Sequence, residues 1–440
     1  MTPCPHPRAP RALAACAALA LPLLAQATNG MLLEGYGPIA TGMGGAATAL
    51  DNGLAAATNN PATLALGDGR TRLDLAVGNL GPRVSSRAGP MNADSGGTSY
   101  VMPAFGWGRR SGAITYGLAL FAQGGMGTEY GSQSFLALGS GQRVRSELGV
   151  GRVILPLAWQ ATPALALGAS LDLVWSSLDL KMAATGAQLA GMVTGAEGNL
   201  AMALGPLAGA PWARVDFSDD SRFTGEAAST GWAGKLGVVY SASPTLRLGL
   251  SHHLKSSLKD MKTGRSAATL SAPGFADSGR ISVQDFQMPA QTTLGVAWQA
   301  TPATLLAVDL KHIGWADVMK SFRMRYDSNG MGGSVSFAMT QNWRDQTALQ
   351  LGVAHRLNTA WTLRAGANLA NNPVPDSLVN PLFPAIVKNH LTAGVGWDLS
   401  ANQALNAAVA YAPKVSVDTP SGVVVSHRQL NLQLMFSQGF

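Results

Sequence analysis

From Leu165 to Ser176 the chain alternates. Leu165, Leu167, Ala169, Leu171, Leu173 and Trp175 fall on one side of an extended strand, and Ala166, Gly168, Ser170, Asp172, Val174 and Ser176 fall on the other. Successive side chains of a strand point to opposite faces, so this pattern reads as a strand with one apolar face. The same period recurs in Leu391–Asp398, where Leu391, Ala393, Val395 and Trp397 oppose Thr392, Gly394, Gly396 and Asp398. It recurs again near the end of the chain, where Leu430, Leu432, Leu434 and Phe436 oppose Asn431, Gln433 and Ser437. A soluble sandwich shows the same period with its apolar face turned inward. Composition separates the two. Only 12% of residues are charged and 47% are hydrophobic, yet past the N-terminal segment there is no run of about 18 apolar residues, so no transmembrane helix is indicated. An apolar chain without such a helix distributes its apolar groups by alternation, as a membrane barrel does between lipid and lumen. Trp107, Trp159, Trp175, Trp298, Trp315 and Trp397 stand near strand ends, as interfacial girdles require.

The connections alternate too. Short turns are read at Arg109–Gly112, Gln160–Pro163, Ser241–Pro244, Gln299–Pro302, Leu357–Ala360 and Ser400–Gln403. Long connections cover 81–97, 124–141, 182–230, 259–289, 316–345, 371–387 and 414–422. Short turns on one side and long loops on the other mark the periplasmic and extracellular ends of a barrel. The expected fold is all-β: a transmembrane antiparallel β-barrel of about fourteen strands, residues 70–440, with both termini periplasmic in the outer membrane. Leu157–Pro163 and Val296–Pro302 echo one another (L/V-A-W-Q-A-T-P), repeating a strand–turn unit and not a domain.

Residues 1–27 read as a targeting segment. Arg8 and Arg11 form its basic region, Ala12–Leu24 its apolar core and Ala25-Gln26-Ala27 its cleavage site. Leu13–Cys16 matches a lipoprotein box but leaves almost no apolar core before the cysteine. Cys4 and Cys16 both fall in this segment, so the mature chain has no disulfide, thiolate metal site or cysteine nucleophile. Residues 28–69 form an N-terminal helical hatch, a plug for the barrel. This stretch is too rich in Gly and Ala for a strand, and short helical pieces are expected around Ala46–Leu50 and from Pro61. Asn60 caps the second piece and Pro61 occupies its first helical position. The net charge of +7 is scattered, with no basic run, so nucleic acid is not a partner.

In the 182–230 loop, residues 183–207 carry a single charge, Glu197, and place Leu189, Met192, Val193, Leu200 and Leu204 at helical spacing. So much apolar surface marks a ligand groove, or packs on a neighbouring loop to cap the barrel; two packed loops also make a groove.

Enzyme readings do poorly. There is no G-x-S-x-G and no P-loop. Gly42-x-Gly44-x-x-Ala47 has no βαβ unit around it, and His252 and His253 are adjacent on a strand, so their rings point to opposite faces. No catalytic residue, metal site or cofactor is expected.

Gly42-Met43-Gly44-Gly45-Ala46, then Asn60-Pro61-Ala62, then Asn372-Pro373-Val374-Pro375 resemble, in order and spacing, the long-chain fatty acid outer-membrane transporter family (FadL/TodX). An amphipathic last strand closing on Phe440 resembles the signal read by the barrel-assembly machinery, although Gln438 stands where an aromatic is commoner. The resemblance implies a monomeric barrel in outer-membrane lipid. Apolar ligands are caught between loops 182–230 and 259–289 and passed to a lumen site. A shift of the N-terminus then releases them through the wall where the third strand, Ala113–Gln123, meets Gly124, Gly125 and Gly127. The apolar start Met31-Leu32-Leu33 suits a segment reaching into that site. Long-chain fatty acids are the expected ligands, and their carboxylate needs a cation, for which Lys311, Arg364, Arg323 and Arg325 are candidates. Aromatic hydrocarbons and alkanes in the same kind of transporter, and a general porin or structural barrel, stay open, because apolar pockets discriminate weakly.

Overall fold

A computed structural model describes residues 29–440; the targeting segment and both cysteines lie outside the described residues. The larger part of them forms one antiparallel sheet. Its first strand, Arg72–Ala88, pairs with the last, Val423–Gly439, from Arg72↔Gly439 to Ala88↔Val423. That pairing closes the sheet into a cylinder and removes the first and last edge that an open sheet would present to lipid. Leu155, Leu157, Trp159, Leu171, Leu173, Leu294 and Trp298 are exposed on the outside, whereas Asp172, Lys235, Asp309 and Gln350 are buried inside. Apolar outside and polar inside is the reverse of a soluble sandwich and is the distribution a bilayer imposes.

The expected count of about fourteen strands is corrected: the barrel closes with 18, within a sheet that holds 23 strands among the described residues. The additional strands arise in segments read as loops, including Val193–Glu197, Ala213–Phe217, Ala268–Ala272, Phe275–Gln284, Ser321–Ser328 and Ser334–Thr340. They pair with one another, as Phe275–Gln284 does with Ser321–Ser328, and raise the sheet above the long-loop end of the cylinder. Their exposed positions include Thr269, Ser278 and Arg323, so they lack the apolar alternation by which wall strands are recognised. A second correction concerns Trp315. It is fully buried, edge-on to Trp343 with ring centroids 5.0 Å apart, and belongs to no girdle.

Residues 29–67 occupy the inside of the cylinder. Their regular pieces are the helices Pro38–Gly42 and Ala56–Asn59 and the 3-10 turns Gly53–Ala55 and Pro61–Leu66; Ala46–Leu50, expected to be helical, is a series of turns. The reason is visible in its donors. Ala47 N and Thr48 N each donate to Asp309 Oδ2 at 2.9 Å, and Thr48 Oγ1 donates to the same oxygen at 2.6 Å, so the wall takes bonds that a helix would have used. Gly44 has φ 69 and its N–H donates to Thr392 Oγ1 at 3.0 Å; a Cβ there would lie against the Ala367 backbone. Gly42 packs beside Gly394, so two backbones approach where neither carries a side chain. Leu54, Ala62, Leu64 and Ala65 meet the inward-facing Ala158, Ala166 and Val239.

Asn60 ties these layers together. Its Oδ1 accepts from Ala62 N at 3.1 Å, capping the turn that Pro61 begins, and its Nδ2 donates to Thr48 O at 2.7 Å and Val238 O at 3.3 Å. Asn60→Ala removes the cap and strands the buried Thr48 carbonyl. The expected cost is about 2 kcal/mol, read as a lower urea midpoint for the refolded barrel.

Candidate functional site: a window in the barrel wall

The strand Ile114–Tyr130 has Tyr100–Ser111 as its neighbour on one side. The ladder between them runs only from Ser111↔Ile114 to Ala104↔Phe121. Beyond that pair, Tyr100–Pro103 and the residues from Ala122 onward are not bonded to each other. Two sequence features account for the break. Pro103 has no N–H to give to a ladder. On the opposite side of the same strand, Ala122 pairs with Gly151 but Gly124 pairs with Val150, leaving Gln123 as an extra residue. Such a bulge bends its strand away from a neighbour. The gap closes again where Gly96 N donates to Glu129 O at 2.7 Å and Glu129 N donates to Ser95 Oγ at 3.0 Å. The wall therefore contains a bounded window.

The N-terminal segment fills the inner side of it. Leu32 forms a backbone bridge with Gly124, and Gly125 N donates to Met31 O at 3.1 Å. Gly124 has φ 153, and a Cβ on it would collide with Met31 O, so the contact requires glycine. Tyr36 Oη donates to Gln123 O at 2.6 Å, fastening the bulge to the same segment. The glycines thus continue a strand, Ile114–Tyr130, and do not open the loop read at 124–141.

A cavity of about 330 Å³ runs through the window. Met31, Leu32 and Leu33 line it on the inside, Gly124, Gly125 and Gly127 in the gap, and Val101, Met102 and Pro103 on the facing strand. Its wall is mostly apolar, with Glu34, Tyr100, Glu147, Ser177, Arg222, Thr224, His427 and Gln429 as its polar lining. Apolar cavities of about 150 Å³ hold benzene, so this one has room for a single substituted ring.

The loop residues Leu189 and Leu200 are buried and Met192, Val193 and Leu204 are half-buried; all join one apolar cluster that also contains Met31 and Leu32. Met261, Leu270, Ile281, Val283 and Phe286 of the 259–289 connection join it too. The two loops pack together over the N-terminal segment, but none of these five residues of the 182–230 loop lines the cavity. Met202 on the helix Gly198–Ala208 stays 73% exposed. Gly42, Gly44, Asn60, Pro61 and Ala62 pack on the wall, outside the cavity.

The four candidate cations are not brought together. Lys311 is buried in the lumen, two residues from Asp309, which accepts from Ala47 N and Thr48 N. Arg364 donates to Asn406 Oδ1 at 3.0 Å near the short-turn end. Arg323 is paired with Asp285, and Arg325 lies 2.8 Å from Asp327 and 3.5 Å from Glu197, all in the raised sheet. The strongest charge cluster inside the wall went unread in the sequence. Arg152 and Lys235, both fully buried, share Asp172 Oδ2, Arg152 through a 2.9 Å contact and Lys235 through a closer one. The available signal was a charge at a lumen position in each strand, flanked by lipid-facing Val153 and Leu155 or Trp232 and Leu236.

Three comparisons bear on this geometry. Residues 22–433 match the family model described as outer membrane protein transport protein (OMPP1/FadL/TodX). The fold is similar to the crystal structure of the Pseudomonas putida toluene transporter TodX, with TM-score 0.84 and 31% identity, covering 92% of this chain and 99% of that one. It is similar to the Ralstonia pickettii toluene transporter TbuX at TM-score 0.79 and 29% identity, covering 92% and 99%. An uncharacterised Chlorobium limicola protein from a phosphoenolpyruvate carboxykinase gene 5′ region is 44% identical over 77 residues, 16% of this chain and 38% of that relative's length.

Proposed function

The chain belongs to the OMPP1/FadL/TodX family of outer membrane transport proteins, and from that premise we propose that it admits small neutral aromatic hydrocarbons through the window at Gly124–Gly127. As a member of that family it is an outer-membrane barrel for hydrophobic compounds. The observation that carries the finer reading is a ring-sized apolar cavity passing through the wall. Two others support it. The buried lumen cations Arg152 and Lys235 already share the Asp172 carboxylate, which offsets part of their charge. The relatives at about 30% identity are toluene transporters.

The route begins at the packed loops, where Leu189, Met192, Val193, Leu200 and Leu204 offer apolar surface together with the 259–289 connection. It continues past Met31, Leu32 and Leu33 and leaves sideways. Transfer from water gains roughly 25 cal/mol per Å² of buried apolar area, and no bond chemistry is needed. Residues 28–69 act as the hatch, and the segment docked on Gly124 is its gate. In this reading the barrel works as a monomer, and its last strand, ending at Phe440, serves its assembly.

The test is uptake of labelled toluene and oleate by cells lacking their own transporter, with the wild type and a variant lacking residues 30–33. Toluene uptake above oleate uptake is expected. The deletion should lower it about ten-fold, since even about 1.4 kcal/mol of lost contact does so. Oleate preferred over toluene would reverse the ligand assignment. Uptake of neither, from a barrel shown to be folded, would end the transport reading.

A further inference from the structure

The cavity does not stop at the window. Gly149, Gly151 and Trp175 line its far end together with Phe223. Strand parity puts the first three on the outer face of the wall. Leu155 and Leu157, in step with Gly149 and Gly151, are exposed, as are Leu171 and Leu173, in step with Trp175. Val150 and Val174, out of step, are buried in the lumen beside Met31 and Leu32.

Phe223 comes from the segment 218–226, which lies across that outer face as a strap. Arg145 Nη2 donates to Ser221 O at 2.6 Å. Asp179 accepts from Asp219 N at 3.2 Å, Glu226 N at 2.8 Å and Ser218 Oγ at 2.8 Å. Lys181 Nζ lies 2.8 Å from Asp220 Oδ1. Desolvation pushes the Asp220 carboxyl up, but Lys181 and Arg143 outweigh it and hold the carboxyl below its ordinary range. The strap crosses where the outer face changes character. Read along Val144–Thr162, the outward positions run Arg145, Glu147, Gly149, Gly151, Val153, Leu155, Leu157. The two glycines mark the passage from the charged band to the lipid band, the level at which tryptophan settles.

The missing side chains leave a slot. Trp175 lies directly over Gly151, where any Cβ would strike the indole, while a Cβ on Gly149 would meet only Ser177 Oγ at 3.6 Å. Phe223, 73% exposed on the strap, lines the same cavity. We propose that Trp175 and Phe223, over the open Gly149 position, form a second binding site on the lipid side of the window, selective for planar aromatic hydrocarbons. This rests on the sideways exit proposed above. Ring–ring contact is worth about 0.5–1.5 kcal/mol beyond area burial, and an alkane cannot match it. The outer slot therefore adds a discrimination that the apolar cavity wall lacks.

The experiment compares uptake of toluene and heptane, which have equal carbon number, by cells lacking their own transporter. Phe223→Leu and Trp175→Leu keep apolar bulk and lose the ring; Gly149→Leu fills the slot; deletion of Gln123 closes the window. Heat-modifiable mobility on gels confirms that each barrel is folded. The two ring variants are expected to lower toluene uptake about two- to ten-fold and leave heptane unchanged, while Gly149→Leu lowers both. Ring variants that treat both compounds alike, or that change neither, overturn the outer site. If toluene uptake survives deletion of Gln123, the sideways exit itself falls and the outer site with it. If uptake is lost on that deletion but not in the ring variants, only the outer site falls.

Discussion

Deleting Gln123 is expected to reduce toluene uptake to background while the barrel still assembles. Gln123 is the single residue by which the strand Ile114–Tyr130 is longer than its partner Val144–Thr162 at this level. Its removal leaves Ala122↔Gly151 followed directly by Gly124↔Val150, so the later residues keep their facing and the strand straightens. A straight strand lies alongside Tyr100–Pro103, where ladder bonds beyond Ala104↔Phe121 become available, apart from the one Pro103 cannot donate. The losses are small by comparison. The Gln123 side chain is buried and neither of its polar atoms has a partner, and only the Tyr36 Oη bond to its carbonyl is forfeited. Closing the window and keeping the barrel are therefore compatible. Uptake is measured beside the outer-membrane level of the variant. Undiminished uptake would show that ligand leaves by another route. A substitution at Gln123 is expected to do far less, since the extra residue and not its side chain makes the bulge.

The contrast between Gly124 and Asp172 shows what was legible. The run Gly124-Gly125-Met126-Gly127 is visible in the sequence as a weak point, and it does line the window. Its effect depends on Gln123, whose surplus exists only relative to Val150 and Gly151 on another strand. Register of that kind is not written in one strand. The wall strands announced themselves because lipid demands alternation on their outer face. Phe275–Gln284 and Ser321–Ser328 expose Ser278, Ser321 and Arg323 and gave no such signal. Trp315 looked like a girdle residue by its place near a strand end, but it lies on the short helix Trp315–Val318, packed over Gly30 and Trp343. The hatch was read through its packing residues: Asn60 caps from the expected place, with Pro61 first in the turn. The carboxylate-binding cations were sought one strand at a time. The cluster that matters joins Val144–Thr162, Leu165–Ala184 and Ala227–Ser243 at one level, which only pairing defines.

That cluster carries the other large expected effect. Asp172→Asn should lower the stability of the barrel by about 3–5 kcal/mol, because removing one partner from a buried ion group leaves the rest uncompensated. Here two cations are left. Arg152 Nη1 and Lys235 Nζ both rely on Asp172 Oδ2, and Ser170 Oγ, which donates to Oδ1 at 2.6 Å, supplies no charge. Arg152 Nε and Nη2 have no hydrogen-bond partner even in the wild type. The variant then leaves two buried cations uncompensated, with guanidinium donors to spare, a charge state that favours a carboxylate. Acid ligands should gain where neutral ones do not, so laurate uptake relative to toluene is expected to rise several-fold at neutral pH. Added laurate should recover part of the lost stability, since a ligand that binds only the folded state stabilises it by mass action. Urea unfolding of the refolded barrel with and without laurate measures both effects. Loss of stability without rescue by laurate would place the two cations out of the ligand's reach and confine the triad to holding the wall. Rescue by laurate with no rescue by dodecane would show that Asp172 keeps this lumen closed to acids by occupying the cations that would bind them.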